Sequence, residues 1–251
     1  MKLTVLGSSS KGNCYILETP TGSLLLDAGV PFREIRKALK FDLSSVLGCL
    51  VTHEHKDHSK AAADIMKAGI DLWASEGTVK GSGLGDFAIN SYRLSFAKAG
   101  FQFDVGDFTI LPFHTEHDAA EPLGYLIQYR PSGEKLLFAT DTYYLKYRFT
   151  GLNYIMIECN YCPDILRANI EAGHIPQALA NRLLESHFSL DNVKNFLWAN
   201  NLSEVRKIML IHLSDSNSDA ARMVREIQEQ TGKEVIVAGA GMEIPLELYP
   251  F

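Results

Sequence analysis

The chain has 251 residues, of which 46% are hydrophobic and 22% charged, a composition typical of a soluble globular protein. This length suffices for one large α/β catalytic domain without a linker, so we predict a single domain over residues 1–251. A formal net charge of −6 excludes a strongly basic protein that binds nucleic acid through bulk charge. No apolar run is long enough to cross a membrane, and the four cysteines are too few for a disulfide framework. We therefore predict a cytoplasmic protein with reduced thiols and no membrane contact.

Hydrophobic periodicity predicts two β-rich halves wrapped by helices. In the first half, predicted strands span residues 3–6, 14–19, 23–27, 46–51 and 71–75, and predicted helices span residues 32–39 and 59–68. Residues 76–101 are irregular and rich in glycine, and we expect a mobile flap there. In the second half, predicted strands span residues 108–113, 123–129, 136–140, 154–158, 207–213 and 234–238, and predicted helices span residues 175–185, 190–200 and 218–230.

The most informative stretch is THEHKDH, residues 52–58, which follows an apolar run typical of a buried strand. Imidazole and carboxylate are ligands that divalent metals prefer, and three histidines with an aspartate in this stretch exceed what packing requires. Side chains two apart in an extended chain share a face, so His53 and His55 can bind one ion together. The following helix turns Asp57 and His58 in another direction, towards a second ion. The alternative, a solvated loop before a helix, does not explain so dense a cluster.

Two ions need further ligands, and later strands supply candidates at their ends. His117 lies just beyond the predicted strand 108–113, whereas Asp141 and His212 end apolar runs of their own. Asp27 closes an earlier apolar strand in the same way. Together with THEHKDH, these residues form the five-part motif pattern of the metallo-β-lactamase superfamily, which the chain resembles over essentially its whole length.

The resemblance implies both a fold and a set of ligands. The implied fold is of the α/β class, a four-layer αββα sandwich of two mixed sheets flanked by helices. The implied ligands are His53, His55 and His117 for the first ion, and Asp57, His58 and His212 for the second. Asp141 would bridge the two ions, and Asp27 would orient the metal-binding loop without being a ligand.

The charge of such a site indicates the chemistry. Two divalent ions bring four positive charges, of which Asp57, Asp141 and a bridging hydroxide remove three, so an anionic substrate or transition state is favoured. Ions about 3.5–4 Å apart can activate water and stabilise both the attacking and the leaving oxygen. We therefore predict a hydrolase with two divalent ions, of zinc, manganese or iron, in which Asp57 and Asp141 are catalytic carboxylates. The bridging Asp141 argues against lactam cleavage, because lactam-cleaving relatives commonly lack it, and the intact His55 argues against flavodiiron redox chemistry.

Three further stretches resemble the bacterial YycJ (also VicX or WalJ) type of metallo-hydrolase, whose members resemble exonucleases. The stretches are GSSSKGN at residues 7–13, ECNY at residues 158–161 and SHFSLDN at residues 186–192. The first is a turn in which Ser9 and Asn13 can wrap an anion, although the loop taken alone favours a plain hairpin connection. The second stretch follows a strand end and is placed to line the cleft, and Asn160 is the residue of it that we assign to the site.

His187 matches a histidine of the same pattern. Because the other motif histidines are ligands, we predict that His187 contacts the scissile phosphate or protonates the leaving oxygen, with a structural role as the alternative. Asp118 is predicted to orient the imidazole of its neighbour His117. His114 and His174 are not assigned to the site. The chain departs from the pattern at Tyr143, Ser186, Phe188 and Asp191, which bears on the substrate and not on the metals.

The leading hypothesis is a metal-dependent phosphodiesterase, a nuclease acting on DNA or RNA; the resemblance suggests an exonuclease, but the sequence leaves exonuclease and endonuclease open. The first alternative is a small-molecule hydrolase of the same fold, with a cyclic phosphodiester, a thioester or a lactone as substrate. The second is a non-catalytic metal-binding partner protein, which would not need a complete ligand set. The stretch from Asp141 to His212 is too short for an inserted cap domain, so the flap and nearby basic residues would have to hold nucleic acid. The candidates are Lys80, Arg93, Lys98, Arg148 and Arg167.

Overall fold

The structure is a computed structural model, and it describes residues 1–84 and 91–247. In that part of the chain the strands are β1 (Lys2–Ser9), β2 (Gly12–Thr19), β3 (Gly22–Leu26), β4 (Val46–Leu50), β5 (Leu72–Ala74), β6 (Leu94–Phe96), β7 (Phe103–Val105), β8 (Phe108–His114), β9 (Leu123–Tyr129), β10 (Lys135–Ala139), β11 (Tyr154–Glu158), β12 (Lys207–Ile211), β13 (Glu234–Val237) and β14 (Glu243–Pro245). The helices are α1 (Phe32–Ala38), α2 (Lys56–Ser59), α3 (Ala62–Lys67), α4 (Glu76–Gly81), α5 (Pro163–Glu171), α6 (Gln177–Ser186), α7 (Leu190–Ala199) and α8 (Ala220–Thr231). The chain packs into two compact units, unit 1 with residues 1–114, 119–132 and 239–251, and unit 2 with residues 115–118 and 133–238.

Unit 1 contains a seven-stranded mixed sheet in the order β14-β1-β2-β3-β4-β5-β6. Its first strands pair antiparallel, whereas β3, β4, β5 and β6 pair parallel. Because the carboxyl ends of parallel strands meet at one edge, the residues that follow β3 and β4 lie side by side. The Asp27 N–H donates to the Leu50 carbonyl at 2.8 Å across that edge. An antiparallel group of β7, β8 and β9 also belongs to unit 1.

Helices α1 and α3 pack on one face of this sheet. Ile35 of α1 and Ile65 of α3 share a buried apolar cluster with Ile16 of β2, Leu25 of β3 and Cys49 of β4. Burying an aliphatic side chain of this size stabilises the fold by about 1.5–3 kcal/mol. The segment between β4 and α3, which contains the metal-binding motif, is therefore fixed at both ends.

Unit 2 is built on the parallel strands β10, β11, β12 and β13. Every residue of β11 is buried, as is typical of a parallel strand whose two faces are both covered. The carboxyl ends of β10, β11 and β12 lie at the same edge, which brings Asp141, Glu158 and His212 to neighbouring strand ends. Ser189 caps α7, and its hydroxyl accepts the Asn192 N–H at 3.1 Å.

One predicted helix near the motif is wrong in detail. The segment predicted as one helix over residues 59–68 forms two short helices, α2 and α3. Between them the Ala61 N–H donates to the Ala28 carbonyl at 2.8 Å, because this part of the chain packs against residues that follow β3. Asp57 and His58 therefore lie inside α2 and not before a helix.

The expected irregular flap at residues 76–101 is also partly wrong. It contains α4, whose cap Ser75 accepts the Thr78 N–H, and β6; residues 85–90 lie outside the described residues. Helix α4 was not predicted because this stretch is rich in glycine, which disfavours helices. Strands β6, β7 and β14 are too short to show the alternation of hydrophobic and polar residues that predicts a strand. Helix α5 was not predicted either. Among residues 1–84 and 91–247, no helix has both the length and the apolar character needed to span a bilayer.

Candidate metal centre

Asp27 connects the end of β3 to the metal-binding motif in unit 1. It is fully buried and has a left-handed backbone, with φ 59°. Its Oδ1 accepts the Thr52 N–H at 2.8 Å and the Thr52 hydroxyl at 2.9 Å, and its Oδ2 lies 2.7 Å from His58 Nδ1. Burial raises the pKa of Asp27, and His58 and Thr52 offset part of that rise. This is the geometry that the predicted orienting role requires.

His58 and Asp57 present two electron-pair donors at a distance that suits one ion. Because His58 Nδ1 donates to Asp27, its Nε2 has the lone pair. Asp57 Oδ2 lies 3.4 Å from that Nε2. Two ligands of one tetrahedral ion with bonds of about 2.0–2.2 Å are roughly 3.4 Å apart, so the pair fits a shared ion. Asn13, predicted near the site, is buried with Nδ2 3.0 Å from His58 Nε2.

His53 and His55 form the second donor pair of unit 1. The Thr52 hydroxyl is 3.0 Å from His53 Nδ1, which leaves His53 Nε2 facing His55 Nδ1 at 3.1 Å. The two rings meet edge to face, with centroids 4.7 Å apart. Two imidazole nitrogens this close need a proton or a cation between their lone pairs, so the pair also fits one ion.

The turn over residues 7–13 is a hairpin connection, because β1 continues to Ser9 and β2 begins at Gly12. The Ser9 hydroxyl accepts the Lys11 N–H at 3.3 Å, and the Ser9 carbonyl accepts Asn13 Nδ2 at 3.0 Å. This turn is therefore a hairpin connection held by its own hydrogen bonds, and contact between Ser9 and an anion stays a prediction.

Gly29 supports the motif, a role that no sequence pattern indicates. A Cβ at this position would fall on the Asp57 carbonyl group, so only glycine allows this close approach of two backbone segments. The neighbouring Ala28 N–H donates to the His58 carbonyl at 2.7 Å. Residues 27–29 thus pack directly against the segment that contains the candidate ligands.

In unit 2, the carboxylate of Asp141 lies between two imidazoles. His117 Nε2 is 3.6 Å from Asp141 Oδ2, and His212 Nε2 is 3.7 Å from Asp141 Oδ1. Each distance is close to the roughly 3.4 Å between two ligands of one ion, and each involves a different carboxylate oxygen. Asp141 and His212 both have left-handed backbones at strand ends, with φ 45° and 53°. This arrangement suits a carboxylate that bridges two ions.

The other ring nitrogens of these histidines are occupied by acceptors. His117 Nδ1 lies 2.9 Å from the Ser186 carbonyl, and His212 Nδ1 lies 3.2 Å from Glu158 Oε1. The Ser186 carbonyl thus leaves the lone pair of His117 on Nε2, the nitrogen near Asp141. Asn160 Nδ2 also lies 3.2 Å from His212 Nδ1, but the charged Glu158 is the stronger partner and leaves the lone pair of His212 on Nε2 as well. Burial lowers the pKa of His117, which favours the neutral imidazole that metals bind.

Glu158 is the main site residue that the sequence analysis did not assign. It is fully buried, and its Oε1 lies 2.6 Å from His187 Nδ1 and 3.2 Å from His212 Nδ1. Its Oε2 accepts the N–H groups of Thr142 and Phe188, both at 3.1 Å. Burial alone would raise the pKa of Glu158, but the two histidines hold it below its ordinary value. The available signal was a single charged residue at the end of the apolar strand YIMIE.

His187 lies in the same group of side chains. Ligand atoms of His187, Asp141, Glu158 and His212 all lie within 4.8 Å of one another. Its ring stacks on His212 with centroids 5.5 Å apart, and its side chain is 15% exposed. Burial lowers the pKa of His187, but the charge and hydrogen bond of Glu158 outweigh burial and raise it overall.

Asp118 and Asn160 both contact predicted ligands. Asp118 Oδ1 is 3.3 Å from His117 Nε2, so it lies on the side of the ring opposite to the Ser186 carbonyl. The carbonyl is thus the acceptor that fixes the ring, and an orienting role of Asp118 stays a prediction. Asn160 Nδ2 donates to the His212 carbonyl at 2.8 Å.

The remaining candidates lie outside these groups. His114 and His174 are exposed, at the end of β8 and beyond α5, as expected for residues without a site role. Of the basic residues proposed to hold nucleic acid, Lys80 pairs with Glu76 at 2.6 Å and Arg93 with Asp71 at 2.8 Å.

The family model described as "Metallo-beta-lactamase superfamily" matches residues 9–151, more than half of the chain. The chain therefore belongs to the metallo-β-lactamase superfamily, and the predicted fold of two mixed sheets flanked by helices is confirmed. The metallo-β-lactamase fold protein YhfI from Bacillus subtilis has a TM-score of 0.71 to this chain at 14% identity, covering 96% of this chain and 98% of that one. At 14% identity, this similarity shows a shared fold and nothing about activity.

Two curated relatives indicate which group of the superfamily the chain resembles. Exodeoxyribonuclease WalJ of Streptococcus pneumoniae is 28% identical, covering 99% of this chain and 93% of its own length. Exodeoxyribonuclease YycJ of Bacillus anthracis is 29% identical, covering 92% of this chain and 90% of its own length. The predicted resemblance to proteins of the YycJ and WalJ type is confirmed, and the predicted class, a hydrolase of the exonuclease kind, agrees with the names of these relatives.

Proposed function

We propose that this protein is a metal-dependent phosphodiesterase, an exonuclease that degrades DNA. The observation that carries the proposal is the carboxylate of Asp141, with one oxygen 3.6 Å from His117 Nε2 and the other 3.7 Å from His212 Nε2. The family membership and two relatives named as exodeoxyribonucleases support the same assignment.

We propose two divalent ions per chain, of zinc, manganese or iron, because imidazole with carboxylate suits all three. Their ligands would be His53, His55, Asp57, His58, His117, Asp141 and His212. When bound, such ions activate water and stabilise the charge that develops on phosphate oxygens. Donor pairs 3.4 Å apart at Asp57 and His58, and 3.1 Å apart at His53 and His55, fit this assignment.

The chain's own groups then have distinct tasks. Asp27 and Glu158 hold the Nδ1 protons of His58 and His212, so that each Nε2 keeps its lone pair. His187, fixed by Glu158 at 2.6 Å, would contact the scissile phosphate or protonate the leaving oxygen. Residues 1–251 would act as one catalytic domain. Four cysteines that are all buried and free support a location in the cytoplasm.

The test compares four substrates with the same metal-loaded enzyme. Bis(p-nitrophenyl) phosphate and end-labelled DNA should be hydrolysed with added manganese or zinc, and a chromogenic cephalosporin should not. End-labelled RNA of the same sequence distinguishes a deoxyribonuclease from a ribonuclease. Asp141→Ala should lose at least one ion by elemental analysis and lose activity. Ready turnover of the cephalosporin without turnover of either phosphodiester would contradict the assignment.

A further inference from the structure

Unit 2 contains a cavity of about 280 Å³ beside the segment that follows Asp141. One wall is an irregular segment over residues 143–149, and the opposite wall is α7, with Asn195 and Phe196. Phe188, the neighbour of His187, also lines it. The volume is near the lower end of the roughly 300–1,000 Å³ of small-molecule sites, so it can admit one nucleotide-sized group and not a duplex.

The wall segment is irregular but fixed at both ends. Asn192 of α7 donates from Nδ2 to the Tyr143 carbonyl at 3.0 Å. At the other end, the Phe149 N–H donates to Asn200 Oδ1 at 2.7 Å. Leu145 and Phe149 are buried, so the segment has an inner face that packs against the unit. The cavity is therefore preformed.

Three exposed side chains of this segment line the cavity, an aromatic ring followed by two cations. Tyr144, Lys146 and Arg148 are exposed, whereas Leu145 between them is buried, which is the alternation of an extended chain. Tyr144 is 56% exposed. Within the described part of the chain, Lys146 and Arg148 make no ion pair with a carboxylate; Lys146 Nζ lies 5.4 Å from the Tyr147 ring centroid. Both charged residues that line the cavity are basic, although the chain as a whole has a net charge of −6.

We propose that this cavity binds one unpaired base of a single DNA strand, next to the catalytic residues. Tyr144 stacks on the base, and Lys146 and Arg148 contact the neighbouring phosphates, since aromatic faces and cations in alternation are how proteins hold single strands. Asn195 offers an amide to the base edge. A base that is still paired in a duplex cannot enter. The proposal rests on the proposed nuclease function and identifies the strand form that its site receives.

The position along the chain places the cavity close to the site. Tyr144 is three residues beyond Asp141, so their Cα atoms are at most roughly 11 Å apart. Phe188 follows His187 directly. A strand held in the cavity would thus have a phosphate within reach of Asp141 and His187.

The test measures binding by the metal-loaded protein, independently of cleavage. The probe is a fluorescein-labelled oligothymidylate of about ten nucleotides with uncleavable phosphorothioate linkages, and the readout is fluorescence anisotropy. Tyr144→Ala should raise Kd about five- to 150-fold, whereas Tyr144→Phe, which keeps the ring, should bind like the wild type. Lys146→Ala with Arg148→Ala should lower the slope of log K against log salt by about 1.4. Arg225→Ala, which removes an exposed cation of α8 outside the cavity, should change neither Kd nor slope.

Two further probes separate the competing explanations. A blunt duplex of the same length should bind with a Kd that Tyr144→Ala does not change; equal weakening of duplex and single strand would contradict base insertion. If thymidine monophosphate competes as strongly as the oligomer, the cavity is a free-nucleotide site and the strand assignment is wrong.

The outcomes also distinguish this inference from the nuclease proposal. If Tyr144→Ala and the Lys146→Ala, Arg148→Ala variant both keep the wild-type Kd and salt slope, the inference is overturned and the nuclease proposal is unaffected. Strand binding that depends on the cavity in a protein that cleaves no phosphodiester would instead contradict the nuclease proposal alone. Thermal unfolding of each variant verifies its fold. If Tyr144→Ala does not fold, the variant with Lys146→Ala and Arg148→Ala decides the test, because both of its substitutions are at exposed positions.

Discussion

Replacing Glu158 by glutamine should disable the candidate metal centre although the new side chain has nearly the same shape. The carboxylate accepts four hydrogen bonds, from the Nδ1 atoms of His187 and His212 on Oε1 and from the N–H groups of Thr142 and Phe188 on Oε2. Glutamine has one oxygen and one NH₂ group, so only one of these two pairs can be retained. The other pair of N–H donors would then face the glutamine NH₂ group, which is itself a donor.

The structure determines which pair is lost. Backbone N–H groups cannot become acceptors, so the amide oxygen must remain against Thr142 and Phe188, and the NH₂ group must face the histidines. Each histidine would then move its proton to Nε2, and His212 would lose the lone pair directed at the Asp141 side. Two hydrogen bonds to a buried charge, worth about 1.5–3 kcal/mol each, would be replaced by two neutral ones, worth about 0.5–1.5 kcal/mol each, so the free energy of unfolding should fall by about 2–3 kcal/mol. Metal affinity should fall about 10–100-fold, as when a group that orients a ligand is removed.

Urea denaturation of the metal-stripped proteins measures the first effect, and elemental analysis after dialysis against graded metal buffers measures the second. Glu134→Gln is the matched control, because Glu134 is also buried in unit 2 but accepts the Tyr154 hydroxyl at 2.9 Å, outside the groups of candidate ligands. It should lose about 1 kcal/mol and keep its metal content. If Glu158→Gln retained its metal and unfolded within about 1 kcal/mol of the wild type, the tautomer argument would be refuted.

Three further changes test other parts of the structure. Gly29→Ala would place a methyl group on the Asp57 carbonyl, so we expect a loss of about 1–3 kcal/mol in urea denaturation together with a lower metal content. His187→Ala should keep the metals but slow DNA hydrolysis about 10²–10⁴-fold, with a smaller loss on a nitrophenyl ester, which needs no proton on its leaving group; equal losses would indicate a positioning role. The hydrogen bond from Arg222 lowers the pKa of Glu226 below 4.5, so this pair stabilises the protein above that pH, and the stabilisation is lost as the pH falls further. Glu226→Gln should therefore cost about 0.5–1 kcal/mol at neutral pH, and the difference should shrink as the pH falls below 4.5; a difference that stays constant throughout the acid range would contradict the assignment.

The candidate ligands could be recognised in the sequence because their chemistry is local and their positions follow from strand ends. A dense THEHKDH segment is improbable for packing alone, and Asp141 and His212 end apolar runs whose parallel pairing brings them together. Glu158 obeys the same rule, but its function depends on His187, which reaches it only through the turn between α6 and α7. Strand β14 could not be predicted, because its three residues gain their structure from pairing with β1 at the other end of the chain. Gly29 could not be recognised either, since its role is a close approach of two backbones and not a pattern of side chains.

The left-handed residues explain why these strand ends make a precise site. Asp27, Asp141 and His212 each leave a strand with positive φ, a conformation that costs a residue other than glycine about 1–3 kcal/mol. Local bonds offset that cost in every case. Thr52 donates twice to Asp27, the Thr140 hydroxyl donates to Asp141 Oδ1 at 2.7 Å, and Asn160 donates to the His212 carbonyl at 2.8 Å. Each candidate ligand or orienting group is thus fixed by the rigid strand behind it and by a polar neighbour beside it. A glycine at these positions would relieve the strain but would remove the donor atom, so the strain is retained where the chemistry needs the side chain.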